Sequence, residues 1–176
     1  MIPDDLKAKL VKIKVVIMDV DGVLTDGRII YGDHGDELKF FDVQDGFGMT
    51  LLRRAGFKTL IISAKKSKIN HRRAKELNVV KIFQNAGDKL SVYEKILKKF
   101  KVSSDETCFI GDDLLDLPVI RLAGFSVAVR NAVEEVKSAA HYVTREKGGR
   151  GAVREVADML LKAQEKWTAV TEGYLV

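Results

Sequence analysis

Two short segments concentrate carboxylates immediately after apolar runs: Asp19-Val20-Asp21-Gly22-Val23 and Gly111-Asp112-Asp113-Leu114-Leu115-Asp116. Clustered carboxylates repel one another, and a cation is the simplest means of holding them together. Oxygen ligands of this kind suit magnesium, which keeps water and phosphate oxygens in its shell. Asp113 and Asp116 also read as helix-start residues, since Asp in the cap and first turn accepts backbone N–H bonds and complements the dipole. Capping explains part of one cluster; two clusters after two separate strands point to one shared metal site. Ser63 follows the run Leu60-Ile61-Ile62, where its hydroxyl and the next N–H groups suit phosphate oxygens. Lys89 opens a helical pattern, and a cation there opposes the helix dipole unless an anion lies nearby. The chemistry these residues share is that of a phosphoryl group.

Such residues converge only if the elements preceding them end on one edge. Lys14–Asp19 is β-branched and almost continuously apolar, as a parallel strand covered on both faces must be. Similar runs lie at 58–62, 79–83, 107–110 and 125–129, separated by helical patterns over about 46–55, 67–77, 87–100, 113–122 and 132–139. This alternation predicts an α/β fold, a Rossmann-like parallel sheet flanked by helices, whose ligand crevice lies beyond the carboxyl ends of the strands. One stretch breaks the rhythm. Residues 28–31 and 37–41 flank Gly32-Asp33-His34-Gly35-Asp36 and read as a β-hairpin inserted after the first strand. Its apolar residues, Ile30 or Phe40 among them, need cover from its own domain or from another subunit. Near the end, Gly148-Gly149-Arg150-Gly151 reads as a hinge before an amphipathic helix, and 167–176 as a tail with an apolar terminus, Gly173-Tyr174-Leu175-Val176.

The 176 residues, 46% of them hydrophobic, are read as one domain spanning 1–176 with a single core. The lone Cys108 lies in an apolar run and cannot form an internal disulfide, consistent with a reducing compartment. With no signal peptide and no apolar run of spanning length, a cytoplasmic protein with no membrane association is expected. The net charge of +5 favours anionic ligands. Many lysines fall on solvated helix faces such as 95–99, and no nucleic-acid motif or aromatic stacking platform accompanies them, so nucleic acid is not the expected partner.

In order, Asp19 to Asp26, Ser63, Lys89 and Gly111 to Asp116 resemble the four motifs of the haloacid dehalogenase superfamily. Asp19 to Gly27, Asp45-Gly46-Phe47-Gly48, Gly111 to Pro118 and Gly148 to Val156 look more closely like its small capless branch, the 3-deoxy-D-manno-octulosonate 8-phosphate phosphatases. The resemblance implies hydrolysis of an eight-carbon sugar-acid phosphate through an aspartyl-phosphate on Asp19. Magnesium would be held by the Asp19 and Asp112 carboxylates and the Asp21 main-chain carbonyl. Asp21 would act as acid and then base, with Ser63 and Lys89 on the phosphoryl oxygens and Asp113 or Asp116 in support. A substrate contact is implied for Asp45 and Gly46, and the basic run that includes Lys65 and Arg73 is expected to supply anion contacts to the substrate. The resemblance further implies a homotetramer whose hairpins form a central barrel, with a neighbour's hairpin and tail at each site.

The chain departs from the branch pattern at Ser63-Ala64-Lys65, where Thr-Gly-Arg is usual. Serine keeps a hydroxyl, but lysine lacks the planar fork that grips a carboxylate bidentately. A different phosphatase of the superfamily, acting on another small molecule or a nucleic-acid end, is the nearest alternative. A phospho-aspartate signalling receiver also uses a lysine and magnesium. Its acceptor lies on a central strand, and Ile61-Ile62-Ser63 offers no Asp there.

Overall fold

A computed structural model describes residues 3–174; the apolar terminus read at Leu175 and Val176 lies outside them. Six parallel strands form the sheet: β1 (Val15–Met18), β4 (Lys58–Ile62), β5 (Lys81–Phe83), β6 (Thr107–Gly111), β7 (Phe125–Ala128) and β8 (Tyr142–Val143). Their order is β5-β4-β1-β6-β7-β8. The hairpin strands β2 (Ile30–Tyr31) and β3 (Glu37–Leu38) pair antiparallel as a separate two-stranded sheet.

The central strands follow from their composition. β1, β6 and β7 are buried along their whole length and β4 along all but its first residue, so each must be apolar on both faces. Right-handed crossovers then dictate where the helices go. The chain runs outward from β1 to β4 and β5 through α2 (Val43–Arg54) and α3 (Lys68–Glu76). It recrosses through α4 (Lys89–Phe100) to β6, then runs outward through α5 (Leu117–Ile120) and α6 (Glu134–Ala139). α5 accordingly packs with α4 and α6, while α7 (Ala152–Ala163) returns to pack on α2. The direction of winding reverses beside β1, which opens a crevice at its carboxyl end between β4 and β6.

Two peripheral elements escaped the sequence reading. α1 (Asp4–Leu10) is short and charge-rich; it docks against α7, and Gln164 Nε2 donates to the carbonyls of Leu10 and Ile13 at 2.9 and 2.8 Å. β8 is only two residues long. The expected tail is helical as far as it is described: α8 (Trp167–Thr171) leads into a short turn whose Tyr174 ring meets Phe47 edge-on, centroids 5.4 Å apart, and contacts Arg54. The hairpin strands are shorter than 28–31 and 37–41. Ile29, Tyr31, Leu38 and Phe40 remain exposed on the hairpin, and Val43 at the start of α2. Among the described residues no helix is long and apolar enough to cross a membrane.

Candidate active site

Four loops at the carboxyl edge supply the site. Asp19 leaves β1, Ser63 leaves β4, Asp112 leaves β6, and Lys89 begins α4. The Asp19 loop turns at Gly22, whose φ of +91° is readily open to glycine. A Cβ at Gly22 would also collide with the Asp112 carboxylate, so the two acidic segments approach because this position has no side chain. Thr25 Oγ1 accepts from the N–H groups of Gly22 and Gly27 at 3.3 and 3.2 Å, and Val20 N donates to Asp19 Oδ1 at 2.6 Å. From the other end of the chain, Asn131 Nδ2 donates to Gly22 O at 3.1 Å while Asn131 Oδ1 accepts from Gly148 N at 2.7 Å. Gly149 N donates to Val23 O at 2.8 Å. Thr25 and Asn131 were not singled out from the sequence, although Asn131 follows β7 on the same edge.

Charge is tightly paired within the crevice. Lys89, 2% exposed, places Nζ 2.7 Å from Asp19 Oδ2 and 2.6 Å from Asp116 Oδ1. Burial alone would lower the lysine pKa, but the two carboxylates outweigh it and hold the ammonium above its usual value. Asp116 is fully buried, and its other oxygen accepts from the N–H groups of Asp112 and Asp113 at 2.9 and 3.3 Å. Asp113 is exposed and caps the short 3-10 turn Leu114–Asp116, accepting from Leu114 N at 2.7 Å. Asp116 thus contacts the lysine, while Asp113 caps the turn.

Asp19, Asp112 and Asp116 offer oxygens lying within 4.8 Å of one another. Burial pushes Asp19 up to about 6, with the Asp116 charge adding to it, and pushes Asp112 up to about 8. Among the described residues Asp112 Oδ1 is buried without a hydrogen-bond partner, a costly arrangement for a carboxylate. An oxygen-seeking cation bridging Asp19 and Asp112 would relieve both defects. Asp116 is geometrically close but its oxygens are already used, by Lys89 and by two backbone N–H groups, so the donor set favours Asp19 and Asp112.

Ser63 is buried, and its hydroxyl donates to Lys65 O at 3.1 Å. Asp21 faces the hairpin, where Lys39 Nζ lies 2.5 Å from its Oδ1. Lys65 also turns to the hairpin, 2.9 Å from the Tyr31 hydroxyl and 3.1 Å from Glu37. Glu37 in turn accepts from Ser67 Oγ at 2.7 Å. The chain's own hairpin thus rests on its own crevice by polar contacts, with apolar side chains left outside.

Asp45 and Gly46, expected at the substrate, face protein neighbours in this structure. Asp45 is 1% exposed and accepts from Gly151 N and Arg154 N at 3.2 and 2.8 Å, closing the amino end of α7. Gly46 is buried, and a Cβ there would strike the Arg73 guanidinium; the glycine makes room for packing. Arg73 itself lies over the Phe41 ring and donates to Asp42 O at 3.3 Å. The reason is a shifted helix start. Asp42, not a later residue, caps α2, which places Asp45 in the first turn facing α7.

Residues 55–156 match the haloacid dehalogenase-like hydrolase family. The 3-deoxy-D-manno-octulosonate 8-phosphate phosphatase of Yersinia pestis is 42% identical over 170 residues, covering 97% of this chain and 91% of that protein. The Moraxella catarrhalis enzyme of that name, solved in complex with magnesium ion, phosphate ion and KDO molecule, superposes with a TM-score of 0.95 at 41% identity. That match covers 97% of this chain and 98% of the other. A cobalt-bound deoxy-D-mannose-octulosonate 8-phosphate phosphatase from Haemophilus influenzae gives 0.90 at 39% identity, over 96% and 99% of the two chains. With these likenesses spanning nearly its whole length, the chain belongs to the haloacid dehalogenase-like hydrolases, in the family of the 3-deoxy-D-manno-octulosonate 8-phosphate phosphatases.

Proposed function

We propose that this protein is a magnesium-dependent phosphomonoesterase that hydrolyses 3-deoxy-D-manno-octulosonate 8-phosphate to the free sugar acid and phosphate. The observation that carries the reading is the Asp19–Lys89–Asp116 ion-pair chain beside the unpartnered Asp112 oxygen, within a family whose relatives carry that name. An Asp19 oxygen attacks phosphorus in line, and the bond to the sugar oxygen breaks as Asp21 gives that oxygen its proton. Water then attacks the aspartyl-phosphate while Asp21 takes up the water proton, releasing inorganic phosphate and restoring Asp19. Lys89 and the Ser63 hydroxyl balance charge on the phosphoryl oxygens. Asp116 keeps the Lys89 ammonium aimed at that position. Asp19, Asp112 and the Asp21 main-chain carbonyl would hold magnesium, which, when bound, neutralises charge on the phosphoryl oxygens.

Lys65 and Arg73 are the cations we assign to the sugar-acid end, Lys65 by exchanging its Glu37 contact for the substrate carboxylate. The exposed apolar residues of the hairpin support a homotetramer assembled through that element, and a cytoplasmic location fits a buried free thiol at Cys108. A magnesium-dependent panel of sugar phosphates, nucleotides and a 3′-phosphorylated oligonucleotide tests the substrate. We expect the eight-carbon acid phosphate to lead in kcat/KM by on the order of 100-fold; preference for a nucleotide or the oligonucleotide overturns the assignment.

A further inference from the structure

Lys39 lies just beyond β3 and belongs to none of the motifs described above. Its side chain is completely buried, with Nζ 2.5 Å from Asp21 Oδ1 and 3.7 Å from Glu37 Oε1. A buried ammonium is costly unless paired with well-placed anions, and here both anions are themselves positioned. Glu37 is held by Ser67 and Lys65, on the loop that leaves β4. Asp21 belongs to the loop that leaves β1. Lys39 therefore ties the hairpin to the residue assigned the proton transfers, using only one carboxylate oxygen. Among the described residues nothing hydrogen-bonds the other oxygen of Asp21.

We infer that Lys39 is a positioning residue for leaving-group protonation: it fixes Asp21 by Oδ1, leaves Oδ2 free for the proton, and stabilises the charge that appears as the proton departs. The inference rests on the assignment of Asp21 as acid and base. In the first half-reaction the Asp19–phosphorus bond forms, the phosphorus–sugar oxygen bond breaks, and the Asp21 proton moves to that oxygen. Negative charge grows on Asp21 beside a fixed ammonium, an interaction stronger in the transition state than before it. Lys39 neither gains nor loses a proton. A hairpin brace with no catalytic consequence is the competing description, and leaving-group chemistry separates the two.

The test compares Lys39→Met with the unaltered full-length protein, both with magnesium, on its best sugar phosphate and on p-nitrophenyl phosphate. A nitrophenolate departs without a proton; a sugar alkoxide does not. In this two-step scheme kcat/KM reports events up to aspartyl-phosphate formation, so later hydrolysis does not mask the effect. We expect kcat/KM to fall about 30- to 100-fold on the sugar phosphate and less than about 3-fold on the aryl phosphate. Lys39→Arg, which restores a cation, should recover most of the loss. Equal losses on both substrates, or no loss on either, overturn the role. Should Lys39→Met fail to fold, Lys39→Gln carries the same comparison. If the unaltered protein hydrolyses neither compound, the phosphatase assignment fails first, and separately.

Discussion

Asp19 and Asp45 are both buried aspartates pushed up to about 6 by desolvation, yet they sit in opposite kinds of surroundings. Asp45 has its oxygens met by the backbone N–H groups of Gly151 and Arg154, and nothing about it awaits a partner. Asp19 shares Lys89 with Asp116 and stands in a cluster where Asp112 keeps a buried oxygen without a hydrogen bond. A perturbed carboxyl is therefore a poor guide to chemistry by itself. What distinguishes the carboxylates of the candidate site is unfinished bonding: three acids cluster around one ammonium, and among the described residues one buried oxygen has no hydrogen-bond donor.

The sharpest way to break this contrast is to neutralise each aspartate. Asp19→Asn should cost on the order of 10⁴-fold or more in kcat, measured as phosphate release, because no nucleophile remains. Turnover close to that of the unaltered protein would end the covalent mechanism. A second prediction concerns stability and pH. Asp19 and Asp112, at about 6 and about 8, both lie above their ordinary value of 3.8. Each group binds its proton more tightly folded than unfolded, so its contribution to stability falls as pH rises from about 4 through about 6 for Asp19 and about 8 for Asp112. A cation acts on the ionised cluster and should offset that loss. At pH 8, magnesium at about 100 times its Kd should add about 2.7 kcal/mol in thermal unfolding, with a gain under about 1 kcal/mol at pH 5. Equal gains at both pH values would contradict the assignment of the cluster as the metal site. The smallest effect is expected at the other aspartate. Asp45→Ala should lower stability by about 1–2 kcal/mol through loss of the α7 cap, with kcat/KM kept within about twofold. A large rise in KM without loss of stability would return Asp45 to the substrate.

Much of the fold was legible because its central strands are apolar on both faces and announce themselves as runs; β1, β4, β6 and β7 lie close to where hydrophobicity alone put them. The acids and Ser63 followed, since a parallel sheet brings strand ends to one edge. Elements whose stability comes from neighbours were not legible. α1 is held by Gln164 and α7, and β8 by pairing with β7. The sequence pattern places the start of α2 near residue 46; the Asp42 cap begins it at Val43 and puts Asp45 inside the first turn. Lys39 and Asn131 act across 18 and 109 residues of chain, a separation to which no local pattern is sensitive.

That last separation bears on when the enzyme becomes an enzyme. Asp19, the proposed nucleophile, is made before Asn131, Gly148 and Gly149, which brace its loop. Ser63, Lys89 and Asp112 all emerge before those braces exist. A nascent chain carrying every catalytic side chain thus still lacks the backbone clasp that shapes the Asp19 turn. That clasp can form only once Asn131, Gly148 and Gly149 are made, and a chain broken off before Gly148 lacks it.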